Sequence, residues 1–376
     1  MDKVMRCLKA DVPVLLWGPP GVGKTSALRA LAGALNAHLE VLSAESTSDA
    51  DLLGVRIVDP ATRTAPLAPP DWVVRCRTAL DRGQRVIVFL DEVTCWPRSS
   101  TAALLGLVAN RHFAGIDLGG ARIVGAANPP EIADGEARPL SPPAANRWRH
   151  IRWEVSPSQW ATLARGGYRL DIPQDAGRWG IDPAALAVAR SVVASYVVAT
   201  AQKPDLKTGA QPPLLEPPRD DGGDPAWPSP RSWELACRLA AVGGGWRAES
   251  AHDDLAGCIG EQGADRFAAW LSDQELPDPE ALLRDPEKHP LPERGDRLAV
   301  ALDAACSAAV APHKERPARW QAAWKLLARV PRDIALSPAG ILCKARWAEE
   351  DLRRTQIPPL AIDLGRVLQA IDGGGK

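Results

Sequence analysis

The stretch Gly18-Pro19-Pro20-Gly21-Val22-Gly23-Lys24-Thr25 constrains this chain more than any other. It follows the pattern GxxxxGK[ST], with the apolar run 12–17 before it and Leu28, Leu31 and Leu35 at helical spacing after it. The run predicts a buried parallel strand and the leucines predict a helix over 24–36. A strand, a glycine-rich turn and a helix in that order cradle phosphate, because backbone N–H groups turn inward and the helix N-terminus favours an anion. Pro19 and Pro20 have no N–H, so beyond the tight turn at Gly18 the cradle falls to Gly21, Val22, Gly23, Lys24 and Thr25, with Ser26 next in the helix. Lys24 is placed to contact the β- and γ-phosphates, and the Thr25 hydroxyl to ligate Mg²⁺.

The second acidic half of such a site lies in Arg85-Val86-Ile87-Val88-Phe89-Leu90-Asp91-Glu92. Asp91, at the carboxyl end of a predicted strand, can hold Mg²⁺. Glu92 is placed to polarise an attacking water. Further strands are predicted at 38–43, 121–127 and 149–155, and helices at 72–81 and 99–109. This alternation implies a parallel sheet with helices on both faces, an α/β core. Strand character is lost after residue 155. A helix over 183–201, a Pro/Gly-rich loop over 203–228 and a helix opened by Ser229-Pro230-Arg231 form a second segment, 156–245. The third, 246–376, holds short helical patterns such as 293–310, 317–330 and 338–354, with no evident role.

Formal net charge is −1 over 376 residues, which argues against a protein that coats nucleic acid by charge alone. Seven cysteines are scattered without a CxxC pair, and the histidines form no ligand pattern, so neither a zinc site nor a disulfide framework is expected. The N-terminus does not read as a signal peptide. The apolar stretch 188–201 is short for a bilayer and contains Arg190. A cytoplasmic protein without a membrane partner is expected. Trp320 and Trp324, at i and i+4, are expected to pack in a core.

The glycine loop, the strand ending in Asp91-Glu92 and a strand ending at Asn128 together resemble the AAA+ superfamily. Further segments are similar to its MoxR-like, helix-2-insert branch, related to the dynein-type AAA domain. These are Asp51-Leu52-Leu53-Gly54, the insert-like stretch 62–72, the stretch 104–112, the stretch 140–148 ending in Asn146-Arg147-Trp148, and Ser229-Pro230-Arg231. At the first of those three positions in 146–148 the family usually has Asp, and at the last Phe.

The resemblance implies an AAA+ core over 1–155, an α-helical lid over 156–245 and an α-helical C-terminal region. It implies Mg²⁺-dependent ATP hydrolysis by a homo-oligomer, expected as a hexameric ring. Asn128 corresponds to the amide that orients the attacking water. Arg147 corresponds to the finger that reaches a neighbouring subunit's nucleotide, and Arg231 to the lid arginine that contacts the γ-phosphate. Arg111 is a further candidate for an interface arginine. A protein partner with a von Willebrand factor A domain is the family expectation. The competing class is a nucleic-acid-directed AAA+ ATPase, a restriction-type motor or loader.

Overall fold

The computed structural model describes all residues except 130–131, 133–137, 166–176, 178, 204, 206–208, 219–224, 275, 346–355 and 374–376. The chain forms two compact units, the first made of Met1–Gly180, Glu216–Leu235 and Asp254–Gly260, the second of Ile181–Leu215, Ala236–Asp253 and Glu261–Lys376. These units do not follow boundaries at 155 and 245. Two late segments return to the first unit because they make buried polar contacts there, and sequence distance conceals such contacts.

The elements up to residue 165 are α1 (Asp2–Ala10), β1 (Val14–Trp17), α2 (Lys24–Ala34), β2 (Ala37–Ser43), α3 (Asp49–Leu53), β3 (Val55–Arg56), β4 (Leu67–Ala68), α4 (Asp71–Asp81), β5 (Arg85–Asp91), α5 (Arg98–Asn110), β6 (His112–Phe113), β7 (Ile116–Asp117), β8 (Arg122–Ala127), α6 (Pro142–Ala145), β9 (Arg149–Arg152) and α7 (Pro157–Arg165). Five strands make one parallel sheet in the order β2-β5-β8-β1-β9. The three central strands are apolar on both faces, and Val86 to Leu90, Ile123 to Ala127 and Val14 to Leu16 are buried. Packing between helix layers requires this. The sheet is tight around Gly125, where an added Cβ would lie 2.9 Å from Leu15 and 3.2 Å from Trp148. Two small hairpins, β3–β4 and β6–β7, stand outside the sheet. The first lies between α3 and α4, overlaps the insert-like stretch 62–72, and exposes Val55, Ile57, Val58 and Leu67.

Arg149, at the start of edge strand β9, is fully buried and pairs with Asp254 at 2.6 Å. Arg6 meets both oxygens of the same carboxylate at 2.9 Å. Two guanidiniums on one buried acid tie the segment 254–260 to the first unit. Close backbone packing reinforces the tie, since a Cβ at Gly257 would lie 2.6 Å from the His150 carbonyl.

The remaining helices are α8 (Pro183–Thr200), α9 (Pro230–Gly243), α10 (Ala251–Ile259), α11 (Glu261–Gln274), α12 (Pro279–Arg284), α13 (Gly295–Val310), α14 (Arg316–Leu327), α15 (Arg332–Cys343) and α16 (Pro359–Gly373). The second unit is built on α13, which buries Leu298, Ala301, Leu302, Ala305, Cys306 and Ala309 on one stripe. Trp320 and Trp324 pack edge to face there, with centroids 5.6 Å apart. Helix α8 is long and apolar enough to cross a membrane by length and composition. In the fold its Tyr196 packs edge-on to Phe267 and Trp270, and Val188 packs on the α13 cluster. A helix opening at Pro338 is corrected: α15 begins at Arg332 and contains Pro338. Burial of Ala335, Pro338, Ala339 and Leu342 outweighs the lost backbone hydrogen bond. Most of the remainder of that pattern lies outside the described residues.

Asp303 on α13 has a buried Oδ1 with no hydrogen-bond partner, and burial raises its carboxyl from the usual 3.8 to about 6. The folded state then holds the proton more tightly than the unfolded chain, so this group's contribution to stability is lost as pH rises from about 4 to 6. The shift corresponds to roughly 3 kcal/mol. Asp303→Asn is expected to flatten the pH dependence of the thermal midpoint over that window, and an unchanged slope would refute the assignment.

Candidate functional site

The register of the parallel sheet sets the site. Leu90 of β5 is level with Gly125 of β8, and Ala127 of β8 with Trp17 of β1. The next residues, Asp91, Asn128 and Gly18, therefore emerge at one end of the sheet. Gly18 donates its N–H to the Ala127 carbonyl at 3.2 Å, and a Cβ there would lie 2.7 Å from the Trp153 carbonyl. Gly21 and Gly23 take φ of 78° and 84°, a left-handed conformation that a side chain disfavours. Val22 lies between them, with a methyl near Gly18. Gly23 caps α2 with no side-chain hydrogen bond, and no acid stands in the first turn that Lys24, Thr25 and Ser26 begin. The free N–H groups of such a helix start face outward toward an anion.

Lys24 is buried, and its ammonium donates to the carbonyls of Gly18 at 2.6 Å and Pro19 at 3.0 Å and to Asn128 Oδ1 at 3.2 Å. Burial lowers its proton affinity while Asp91 and Glu92 oppose that. Thr25 Oγ1 donates to Asp91 Oδ2 at 2.7 Å. The opposite oxygen, Oδ1, accepts the Glu92 N–H at 3.1 Å, and the Asp91 carbonyl accepts Trp96 Nε1 at 3.1 Å. Threonine hydroxyl and aspartate oxygen are an all-oxygen donor pair, which fits a hard cation such as Mg²⁺. Glu92 leaves the strand at φ 55°. Its Oε2 is buried without a hydrogen-bond partner, and burial, then Glu45, raise its carboxyl. The structure thus brings together Gly18, Gly21, Val22, Gly23, Lys24, Thr25, Ser26, Asp91, Glu92 and Asn128.

Glu45 was not foreseen. It follows the end of β2, where Ser43 is level with Asp91. Only knowledge that β2 neighbours β5 would have placed it near Glu92. A second unforeseen cluster sits on β2 and α4, where His38, Glu40 and Cys76 bring ligand-type atoms within 4.8 Å of one another. Both Glu40 oxygens are engaged by Arg75, and burial pushes the Cys76 thiol up to about 12. The cluster is therefore an ion pair beside a protonated thiol.

The arginines separate into two kinds. Arg149 is occupied by Asp254, and Arg111 is buried, donating to the Ala121 carbonyl at 3.2 Å and to Asp11 at 3.0 Å. Arg111 as an interface arginine is thereby corrected, since its guanidinium closes the turn after α5. Arg147 and Arg231 remain. Arg147 donates from Nη1 to the Pro143 carbonyl, and its Nε is buried without a partner. Arg231 is exposed in the first turn of α9. The two charges feel one another: burial, then Arg231, lowers the proton affinity of Arg147. No hydrogen bond or ion pair joins either to Lys24, Asp91 or Glu92 among the described residues.

Residues 13–147 match the family model of the AAA domain (dynein-related subfamily). No curated protein matches the chain significantly. A crystal structure of a "putative ATPase" from Cytophaga hutchinsonii is similar at 14% identity, covering 71% of this chain and 78% of that one, with a TM-score of 0.39.

Lys24→Ala is expected to weaken ATP binding at least about a hundredfold, since it removes a buried charge-assisted contact. Calorimetric titration reads this directly, and retained affinity would refute the placement of Lys24. Asp254→Ala leaves Arg149 buried without its acid and is expected to cost about 3 kcal/mol of stability, read as a lower urea midpoint.

Proposed function

We propose that this protein is an Mg²⁺-dependent ATPase of MoxR type that assembles as a homo-oligomeric ring, a hexamer by resemblance, and remodels or activates a protein partner in the cytoplasm. The observation that carries the ATPase reading is the pair of contacts Lys24–Asn128 and Thr25–Asp91 beside an uncapped helix start. Cation, amide, hydroxyl and two acids meet where the sheet ends, beside N–H groups that suit phosphate. Mg²⁺, held by Thr25 and Asp91, would neutralise charge on the phosphates. Glu92 Oε2, with no protein partner, is available to accept a proton from the attacking water. Asn128 orients that water while its Oδ1 keeps Lys24 in place.

Arg147 is proposed to act on a neighbouring subunit's nucleotide, which makes hydrolysis depend on assembly. Two guanidiniums close enough to perturb one another serve one phosphate tail better than two separate ones. Arg231 is therefore proposed to accompany Arg147 rather than to contact its own subunit's nucleotide. The exposed apolar hairpin with Val55, Ile57, Val58 and Leu67 favours a polypeptide partner over nucleic acid, as does the net charge of −1. A von Willebrand factor A domain in that partner is the expectation from resemblance.

Glu92→Gln is expected to bind ATP and hydrolyse it at least about a hundredfold more slowly. Wild-type turnover in this variant would remove Glu92 from its role. Rings mixed from Glu92→Gln and Arg147→Ala subunits are expected to regain part of the activity that each lacks, and no recovery in proven mixed rings would count against a finger in trans. Capture of partners on ATP-loaded Glu92→Gln separates the two function classes: a protein retained after nuclease treatment supports remodelling, and a signal lost with nuclease turns the reading to nucleic acid.

A further inference from the structure

Arg147 and Arg231 lie far apart in sequence, yet the residues that carry them are joined through buried atoms. Asn146, immediately before Arg147, is 3% exposed, and Ser229, the cap of α9, is 5% exposed. Asn146 Nδ2 donates to the Trp227 carbonyl at 3.0 Å, and its Oδ1 accepts the Ser229 hydroxyl at 2.5 Å. Ser229 Oγ also accepts the Ser232 N–H at 3.1 Å, while Ser232 Oγ accepts the Ser229 N–H at 2.8 Å. This reciprocal cap fixes the first turn of α9, which holds Arg231. Trp227 closes the circuit, donating from Nε1 to the Pro142 carbonyl at 3.3 Å.

The network needs a group that donates from one atom and accepts at the next, which an amide does. Aspartate at 146 would set a carboxylate oxygen against the Trp227 carbonyl in a buried place, two acceptors with no proton between them. Asparagine at this position, where the family more often has an acid, thus has a physical reason. The network also opposes a force, because Arg147 and Arg231 repel one another and the positive end of α9 adds to that repulsion.

We propose that Asn146, acting through Ser229, is the positioning residue that holds Arg147 and Arg231 side by side as a single phosphate-directed pair. This rests on the reading that both arginines address a nucleotide's phosphates. With the joint intact, the segment after α6 and the first turn of α9 move together, so both charges arrive at the phosphate or neither does.

The test is steady-state ATP turnover by the full-length assembled protein carrying Asn146→Asp, Ser229→Ala or Ser229→Thr, each alone and with Arg147→Ala. Asn146→Asp and Ser229→Ala are expected to lower kcat about tenfold while KM shifts less than about twofold, as for contacts made only in the transition state. Ser229→Thr keeps the hydroxyl and is expected to retain most of the activity. Added to Arg147→Ala, neither damaging variant is expected to lower kcat further, because the two arginines act as one unit and that unit is already broken. Circular dichroism at the assay temperature establishes folding, and Ser229→Ala, the smaller change, decides the matter should Asn146→Asp not fold. Wild-type kcat in Ser229→Ala, or losses that multiply with Arg147→Ala, would overturn the positioning role and leave the arginines' role standing. Wild-type turnover in Arg147→Ala and Arg231→Ala would instead remove the phosphate role of the pair, and this inference with it.

Discussion

The pairing of β8 with β5 on one side and β1 on the other is the constraint from which the rest of the first unit follows. Parallel strands with matched registers end on one level, so whatever follows each strand is delivered to the same place. Gly18, Asp91 and Asn128 meet for that reason. The pairing is itself held by apolar surface on both faces and by the space that Gly125 leaves for Leu15, Val93 and Trp148. The geometry of the candidate site thereby rests on apolar side chains that lie outside it.

Among the described residues of this unit, like charges are held close around Glu92 and around Arg147. Glu92 lies by Glu45 and Asp91, and Arg147 lies by Arg231. Such arrangements cost stability and persist only where the surrounding structure over-determines them. Around Glu92 the constraint is the sheet end and the Trp96 bond to the Asp91 carbonyl. Around Arg147 it is the buried amide and hydroxyl circuit through Asn146, Ser229 and Ser232. By contrast, Arg149 and Arg6 are both ion-paired with Asp254, so they serve architecture.

Much of the fold was legible in the sequence. The strand at 85–91 showed itself because a run apolar on both faces has few other places to go, and the helix beginning at Lys24 because its leucines repeat at helical spacing. Lys24, Thr25, Asp91 and Asn128 were legible because the glycine loop and strand-end residues are local signals, and the structure joins them by hydrogen bonds. Arg111 misled because the stretch 104–112 that carries it resembles a family segment, whereas its buried guanidinium bonds the Ala121 and Val108 carbonyls. Pro338 misled because a proline usually opens a helix, and tertiary packing outweighed that preference.

By itself the sequence determined the glycine loop, the acidic strand end and the five strands of the parallel sheet, because each depends on neighbours within a few residues. Tertiary structure alone decided that segments 216–235 and 254–260 return to the first unit, and that Glu45 approaches Glu92. It also separated Arg149, spent on a buried acid, from Arg147, left beside Arg231. Those outcomes are set by which polar groups find partners when distant segments are buried together. An unpaired buried charge costs so much that its partner dictates its role, and the partner's place in the chain carries no local signal.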